Sequence, residues 1–393
     1  MIQINSVEEI QNFLKEKVRS IALEPEFDRH QTDLGVPCLL DNDGLPAVRV
    51  AIANASIDAD IWHGLRSPAA VGLHPVGFRE IWDFYAANNL KSVLPDGSPN
   101  YLAIPESFEE AKKRLDRAVI ISMLLPIDKQ VFEAYAEKIT GGDPDNFDEY
   151  PRASSDVAGI ISKVAARLSL ARLRRDRVVV CMNSTGAKKV VEFSLADSQT
   201  GRYHGPCNDP FPQNSVAVLT GLMQFGVSRI PIRDERGEDG KVIRMMGHYA
   251  TVVVFDNAPL VEDGSGGVVH LDAAHIEKTR KLSDYTVVDE DVVSGRFCPY
   301  NRMLGRSGKS VCGKCIMHCS SGAIPNSSPA PNGKYSESIL EKKHRFHDGF
   351  LDFDFIKCTR ERNQKQELYS EYACARCVAI CAARGVSGLS KQS

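Results

Sequence analysis

Nothing in this sequence offers itself to a membrane, a nucleic acid or an export machinery. No run of eighteen or more apolar residues occurs, so no stretch is long enough to span a bilayer as a helix. Lys and Arg number 48 against 51 Asp and Glu, a net charge of -3, so the electrostatic footprint of a nucleic-acid binder is missing. The start, MIQINSVEEIQNFLKEKV, is amphipathic and charged, with no apolar h-region and no twin arginine. It reads as no export signal, and a cytoplasmic protein is the expectation. Apart from one cysteine pattern there is no internal repeat and no long low-complexity tract. What is present is an ordinary globular composition, 43 % hydrophobic and 25 % charged over 393 residues, enough for two or three domains and a sizeable core.

The cysteines are not spread evenly. Eight of the eleven fall between Cys298 and Cys381, and six of these form two runs of identical spacing, Cys312, Cys315, Cys319 and Cys374, Cys377, Cys381. Each run is CxxCxxxC with a lone cysteine upstream, Cys298 and Cys358. Structural zinc also uses CxxC pairs, but the two pairs then lie about 15–20 residues apart and a third cysteine at x3 spacing has no role. Disulfides would need a secreted chain, whereas reducing compartments reserve clustered cysteines for metals or catalysis. Eight thiolates are what two 4Fe-4S clusters need, four each, and in two-cluster ferredoxins the last cysteine of one run ligates the other cluster.

The residues after the first run fit that reading. Cys319 is followed by Ser-Ser-Gly-Ala-Ile-Pro, which resembles the tail of bacterial ferredoxin-type sites. Small residues there let backbone N–H groups approach cluster sulfurs, one lever on reduction potential. The bacterial pattern CxxCxxCxxxCP is not complete, because Lys309 and Glu371 stand where each first cysteine would fall, and Ser320 and Ala382 where the proline would. Cys298 and Cys358 therefore supply the missing ligands. The crossing rule gives one cluster Cys312, Cys315 and Cys381, the other Cys374, Cys377 and Cys319. Which distal cysteine completes which set stays open.

Along the chain, residues 1–115 read as a mixed, mostly helical N-terminal region. Val7 to Arg19 has helical spacing with Ser6 as an N-cap, and Ala47 to Ala53 is a short strand. Phe78, Ile81, Trp82 and Tyr85 share a helical face that reads as core, and Cys38, His63 and His74 read as structural. From 116 to 290 strands alternate with helices. Arg117 to Leu125 is a buried strand ending at Pro126, Ser154 to Arg174 a long amphipathic helix, and Arg177 to Met182 a second strand. GRYHGPCNDPFPQNS, residues 201–215, holds three prolines and two glycines and reads as a loop of the kind that carries chemistry. Tyr203 and His204 can donate protons there, and Asn208, Asp209 and Asn214 can orient. Val216 to Phe225 reads as an apolar helix capped by Gly226. VSRIPI, the charged turn RDERGEDGK and HYATVVVFDNAPL then form a strand-turn-strand unit. Residues 291–393 are the cysteine module. Between its runs lie a surface loop, NSSPAPNGKYSES, and His344 and His347 at i, i+3 on a helix, read as surface residues.

This order of elements resembles the core of the cobalamin-dependent reductive dehalogenases and epoxyqueuosine reductases. TGLMQFGVSRIPI corresponds to a segment that reads roughly AGLGELGRNGLLI in that family, and TVVVFDNAPLVED to AVFTDLPLEPD. The likeness covers residues 116 to about 385, with the cysteine runs as its specific part. It implies an α+β fold, a nitroreductase-like α/β core with a C-terminal ferredoxin-like module of two 4Fe-4S clusters. Cobalamin is the implied organic cofactor, with FMN the alternative. Val227 stands where the family has Arg, and Arg229 two residues on is the substitute. Tyr203 is the candidate proton donor by loop position, with His204 and Arg229 beside it as catalytic candidates. Asn208, Asn214, Met223 and Phe225 are the candidate cofactor contacts. The Asp-x-His-x-x-Gly corrinoid motif is missing here as in the family, which argues neither way.

The expected activity is that of a cytoplasmic reductase passing electrons from an external donor (ferredoxin, flavodoxin or reductase) through both clusters to the corrinoid, which reduces a small organic substrate. A flavin-containing iron-sulfur reductase and a non-catalytic electron carrier are the alternatives. The long α/β region argues against the carrier, which would need only the last hundred residues.

Overall fold

The computed structural model describes residues 2–4, 7–24, 37–54, 119–143, 148–170, 179–181, 216–218, 220–225, 231–237, 242–254, 260–261, 268–271, 314–320, 346–347, 350–351 and 375–383. Their elements, in chain order, are β1 (Ile2–Ile4), α1 (Val7–Ala22), β2 (Arg49–Asn54), β3 (Val119–Pro126), α2 (Lys129–Gly141), α3 (Glu149–Leu170), β4 (Val179–Cys181), β5 (Gln224–Phe225), β6 (Pro231–Arg236), β7 (Val242–Met245), β8 (Gly247–Val254), β9 (Leu260–Val261), β10 (Val268–Leu271), α4 (Lys314–Met317), β11 (Phe346–His347), β12 (Phe350–Leu351) and α5 (Arg376–Ala383). Among the described residues no helix is long and apolar enough to cross a membrane.

A four-stranded sheet in the order β2-β3-β8-β4 organises the chain, each neighbouring pair antiparallel. Because strand side chains alternate, the register sorts its residues into two faces. Val50 opposes Met123, which opposes Ala250, and Ile52 opposes Ile121. All five belong to one buried cluster with Val157, Ile160, Ile161 and Val164 of α3, and Ile10, Leu14, Val18 and Ile21 of α1. The α1 residues recur every three or four positions, so its apolar stripe closes onto the core as the sequence pattern requires. Each large side chain buried this way contributes about 1.5–3 kcal/mol of transfer free energy.

Helix α2, absent from the expected elements, is bounded by two caps. Asp128 accepts a hydrogen bond from the Gln130 N–H at 2.7 Å, satisfying one of the donors a helix start leaves unpaired. At the other end Gly142 takes φ 85°, with its own N–H directed to Ile139 O and that of Asp143 to Lys138 O, the two bonds of a Schellman motif. Val131, Phe132 and Tyr135 face the core. Tyr135 stacks on Tyr150 of α3 at 5.1 Å between ring centroids.

Three expectations change. Residues 216–225 are not one helix. A helical turn at 216–218 stops at Gly221, which has φ 73°, and the N–H of Met223 folds back to Ala217 O at 3.0 Å. Gln224 and Phe225 then pair with Ile232 and Pro231 as strand. The glycine inside the apolar run, not Gly226, is the breaker. The strand-turn-strand unit also pairs differently: β6 runs through the charged RDER segment and pairs with β7, whereas β8 pairs with β3. Ion pairs across the hairpin make charged residues acceptable in these strands. Finally, His347 lies in β11, paired with β12, not on a helix.

Candidate functional site

Four of the eight predicted cluster ligands are described, two on each cysteine run. Cys377 and Cys381 lie one turn apart on α5, so they share a face. Ala375, Ala379 and Ala382 fall on the opposite side and are buried in the core cluster. Their small side chains let α5 approach α2 closely, and the two helices are packed together. Cys315 sits in α4, whose Ile316 is fully buried, and Cys319 follows it after one residue, its N–H directed to Ile316 O at 3.4 Å. α4 packs on α5. Two segments 55 or more residues apart in sequence, each carrying two cysteines of one CxxCxxxC run, are thus brought together.

All four thiols are half-buried, and cationic groups stand close to them. Lys314 and Arg376 occupy matching places, each just before the middle cysteine of its run. Burial lowers the pKa of His318 from its ordinary value, and the charges of Lys314 and Arg376 lower it further. A third cation comes from the hairpin. Arg244 on β7 is buried, pairs with Asp234 directly opposite on β6, and places Nη1 3.5 Å from Cys381 Sγ. Thiolate donors with cations around them suit an anionic iron-sulfur group. Among the described residues no three of His, Cys, Asp and Glu converge so as to hold a metal ion. The crossing rule assigns only two described cysteines to each cluster, Cys315 with Cys381 and Cys377 with Cys319, so a group of three would not form among them. Cys298, Cys312, Cys358 and Cys374 lie outside the described residues.

The hairpin is tied to the main sheet by a second ionic group. Glu235 accepts from Arg49 Nε and Nη2 at 2.8 Å and from Arg233 Nε at 2.5 Å. Burial by itself would raise the Glu235 carboxyl, but the two guanidiniums outweigh it and hold the group below its ordinary value. Arg233 also donates to Leu222 O at 2.7 Å, which fixes the turn before Met223. Of the candidate cofactor contacts, Met223 is buried and Phe225 lies in β5. Tyr203, His204, Asn208, Asn214 and Arg229 lie outside the described residues.

The second face of the main sheet holds polar groups that no sequence pattern singles out. Ser122 and Thr251 oppose each other across β3 and β8, next to Ala51 on β2. Both are buried, at 0 % and 1 % exposure, and neither hydroxyl has a hydrogen-bond partner. A buried hydroxyl left so costs about 1–3 kcal/mol, which marks the strip as a place where a bound group could supply the partner. Cys38, by contrast, is buried with its thiol pushed up to about 11, desolvation being the main cause, as befits a structural residue.

Compared with known proteins, the chain matches no family model, no curated protein and no solved structure.

Proposed function

We propose that this chain is a reductase that takes electrons from an external low-potential donor, passes them singly through two 4Fe-4S clusters, and delivers them to a bound corrinoid that reduces a small organic substrate. The observation that carries the reading is the packing of α4 on α5, which brings two cysteines of each run together, with Arg244 against Cys381. The resemblance of residues 116 to about 385 to the cobalamin-dependent reductive dehalogenases and epoxyqueuosine reductases supports the corrinoid. When bound, the iron-sulfur and corrinoid groups supply single-electron chemistry at low potential, which no side chain can.

The chain's own residues have the remaining work. Cys298, Cys312, Cys315, Cys319, Cys358, Cys374, Cys377 and Cys381 hold the clusters, and Arg244, Lys314 and Arg376 balance their charge. Ser122 and Thr251 offer hydroxyls to the organic cofactor, with Met223 and Phe225 as apolar contacts and Asn208 and Asn214 as polar ones. Tyr203 donates the proton that the reduced substrate needs. A phenol has an ordinary pKa near 10, so it requires a cationic neighbour, the role given to Arg229. His204, next to it in sequence, is the second proton-transfer candidate.

Cobalt and flavin content of the chain purified without oxygen tests the reading. About one cobalt per chain is the expected result. Flavin with no cobalt would replace the corrinoid by FMN, and clusters with neither would make the chain an electron carrier.

A further inference from the structure

The guanidinium of Arg244 is committed on all sides. Its side chain is 6 % exposed, Nε and Nη2 donate to Asp234 Oδ1 and Oδ2 at 2.7 Å each, and Nη1 reaches Cys381 Sγ. The bidentate pair fixes the plane of the guanidinium, so the third nitrogen is aimed at the sulfur rather than merely near it. The fold sets this up from three separate elements. Asp234 and Arg244 are directly opposed on β6 and β7, the hairpin is anchored to β2 through Glu235 and Arg49, and α5 is seated on α2 by its alanine face.

Resting on the reading that Cys381 is a cluster ligand, we propose that Arg244 is a positioning residue that raises the reduction potential of the cluster bound by Cys381, and that Asp234 holds it in place. A 4Fe-4S cluster taking one electron gains one negative charge, and N–H donors and cations at its sulfurs favour that state. Burial leaves Arg244 weakly screened by salt. A charged donor aimed at one ligand sulfur therefore stabilises the reduced form more than the oxidised form. Asp234 neutralises the far side of the guanidinium, so a buried charge is tolerated there while its Nη1 edge still faces Cys381. The cluster assigned Cys312, Cys315 and Cys381 is then easier to reduce than it would be without the arginine.

The test is a redox titration followed by electron paramagnetic resonance on the full chain purified without oxygen, with iron and sulfide counted on every sample. Arg244→Gln removes the charge and Arg244→Lys keeps the charge but loses the fork. The proposal predicts wild-type iron and sulfide in both variants and a downward shift concentrated in one of two couples. For Arg244→Gln the reduced-to-oxidised ratio at fixed poise falls about tenfold, ~59 mV for one electron, with a smaller fall for Arg244→Lys. Unchanged potentials with iron retained overturn it, as does an equal shift in both couples. If Arg244→Gln does not retain iron, Arg244→Lys decides, and an unshifted potential there overturns the proposal. Iron missing from the wild-type chain itself would overturn the cluster reading and this inference with it, an outcome distinct from an unshifted potential.

Discussion

Asp156 gives the chain a pH dependence that a single substitution can isolate. It is buried on α3 with Oδ2 lacking a hydrogen-bond partner, and desolvation pushes its pKa up from 3.8 to about 7. The folded chain therefore keeps a proton that the unfolded chain releases, so rising pH between those two values costs stability. Asp156→Asn should melt higher than wild type at pH 8, by a margin on the order of 1–3 kcal/mol, and the gap should close by about pH 4. Parallel melting curves across that range would mean that Asp156 is not the source. A second prediction concerns chemistry. Tyr203→Phe should abolish turnover while leaving iron, sulfide and the organic cofactor at wild-type levels, and retained turnover would remove Tyr203 from the site. Residues of these two kinds differ in how well a sequence announces them. The two cysteine runs stand out because their spacing is local. Arg244 does not, since it lies 137 positions from Cys381 and only the packing of a hairpin against a distant helix brings them together.

Strands and helices were legible where their apolar period was strong. The α1 stripe, the β2 and β3 runs and the long α3 helix all lie close to where the pattern puts them, within a few residues at their ends. α2 is absent from the expected elements although Asp128 and Gly142 mark its ends and Val131, Phe132, Tyr135, Ala136 and Ile139 recur at helical spacing, so its signal was present in the sequence. The charged segment at β6 misleads for a different reason. Its polar residues are satisfied by partners on β7 and β2 that local sequence cannot show. At this scale the sheet provides two predictions. Gly247 opposes Pro126 at the end of β3–β8, and a Cβ there would overlap the Leu125 carbonyl and come within 2.7 Å of Pro126 Cα. Gly247→Ala should therefore destabilise the chain by about 1–3 kcal/mol, read as a lower denaturation midpoint, and an unchanged midpoint would show that this strand end opens at no cost. The pair Ser122→Ala and Thr251→Val removes two buried hydroxyls without partners, so the double variant should be as stable as wild type or more so. If the strip serves a bound group, the same variant should retain less organic cofactor. Equal retention would take the strip out of the site.

Across the molecule, elements from all parts of the described chain meet in one core. α1 from the N-terminal region, the main sheet with α2 and α3, and α5 from the cysteine module all contribute buried residues to the same cluster, and β1 pairs in parallel with β10. The seat for the second cysteine run is thus part of the main core. Electron delivery through it would require no separate docking step. The repeated cysteine spacing of the last hundred residues is legible in the sequence, whereas the seat of α5 on α2 is not, because the alanines of α5 carry no apolar period strong enough to reveal a partner. The central claim is that the two runs hold iron and sulfide, and counting both on the chain purified without oxygen tests it most directly. About eight irons and eight acid-labile sulfides per chain are the predicted result, whereas zinc without sulfide would contradict the account.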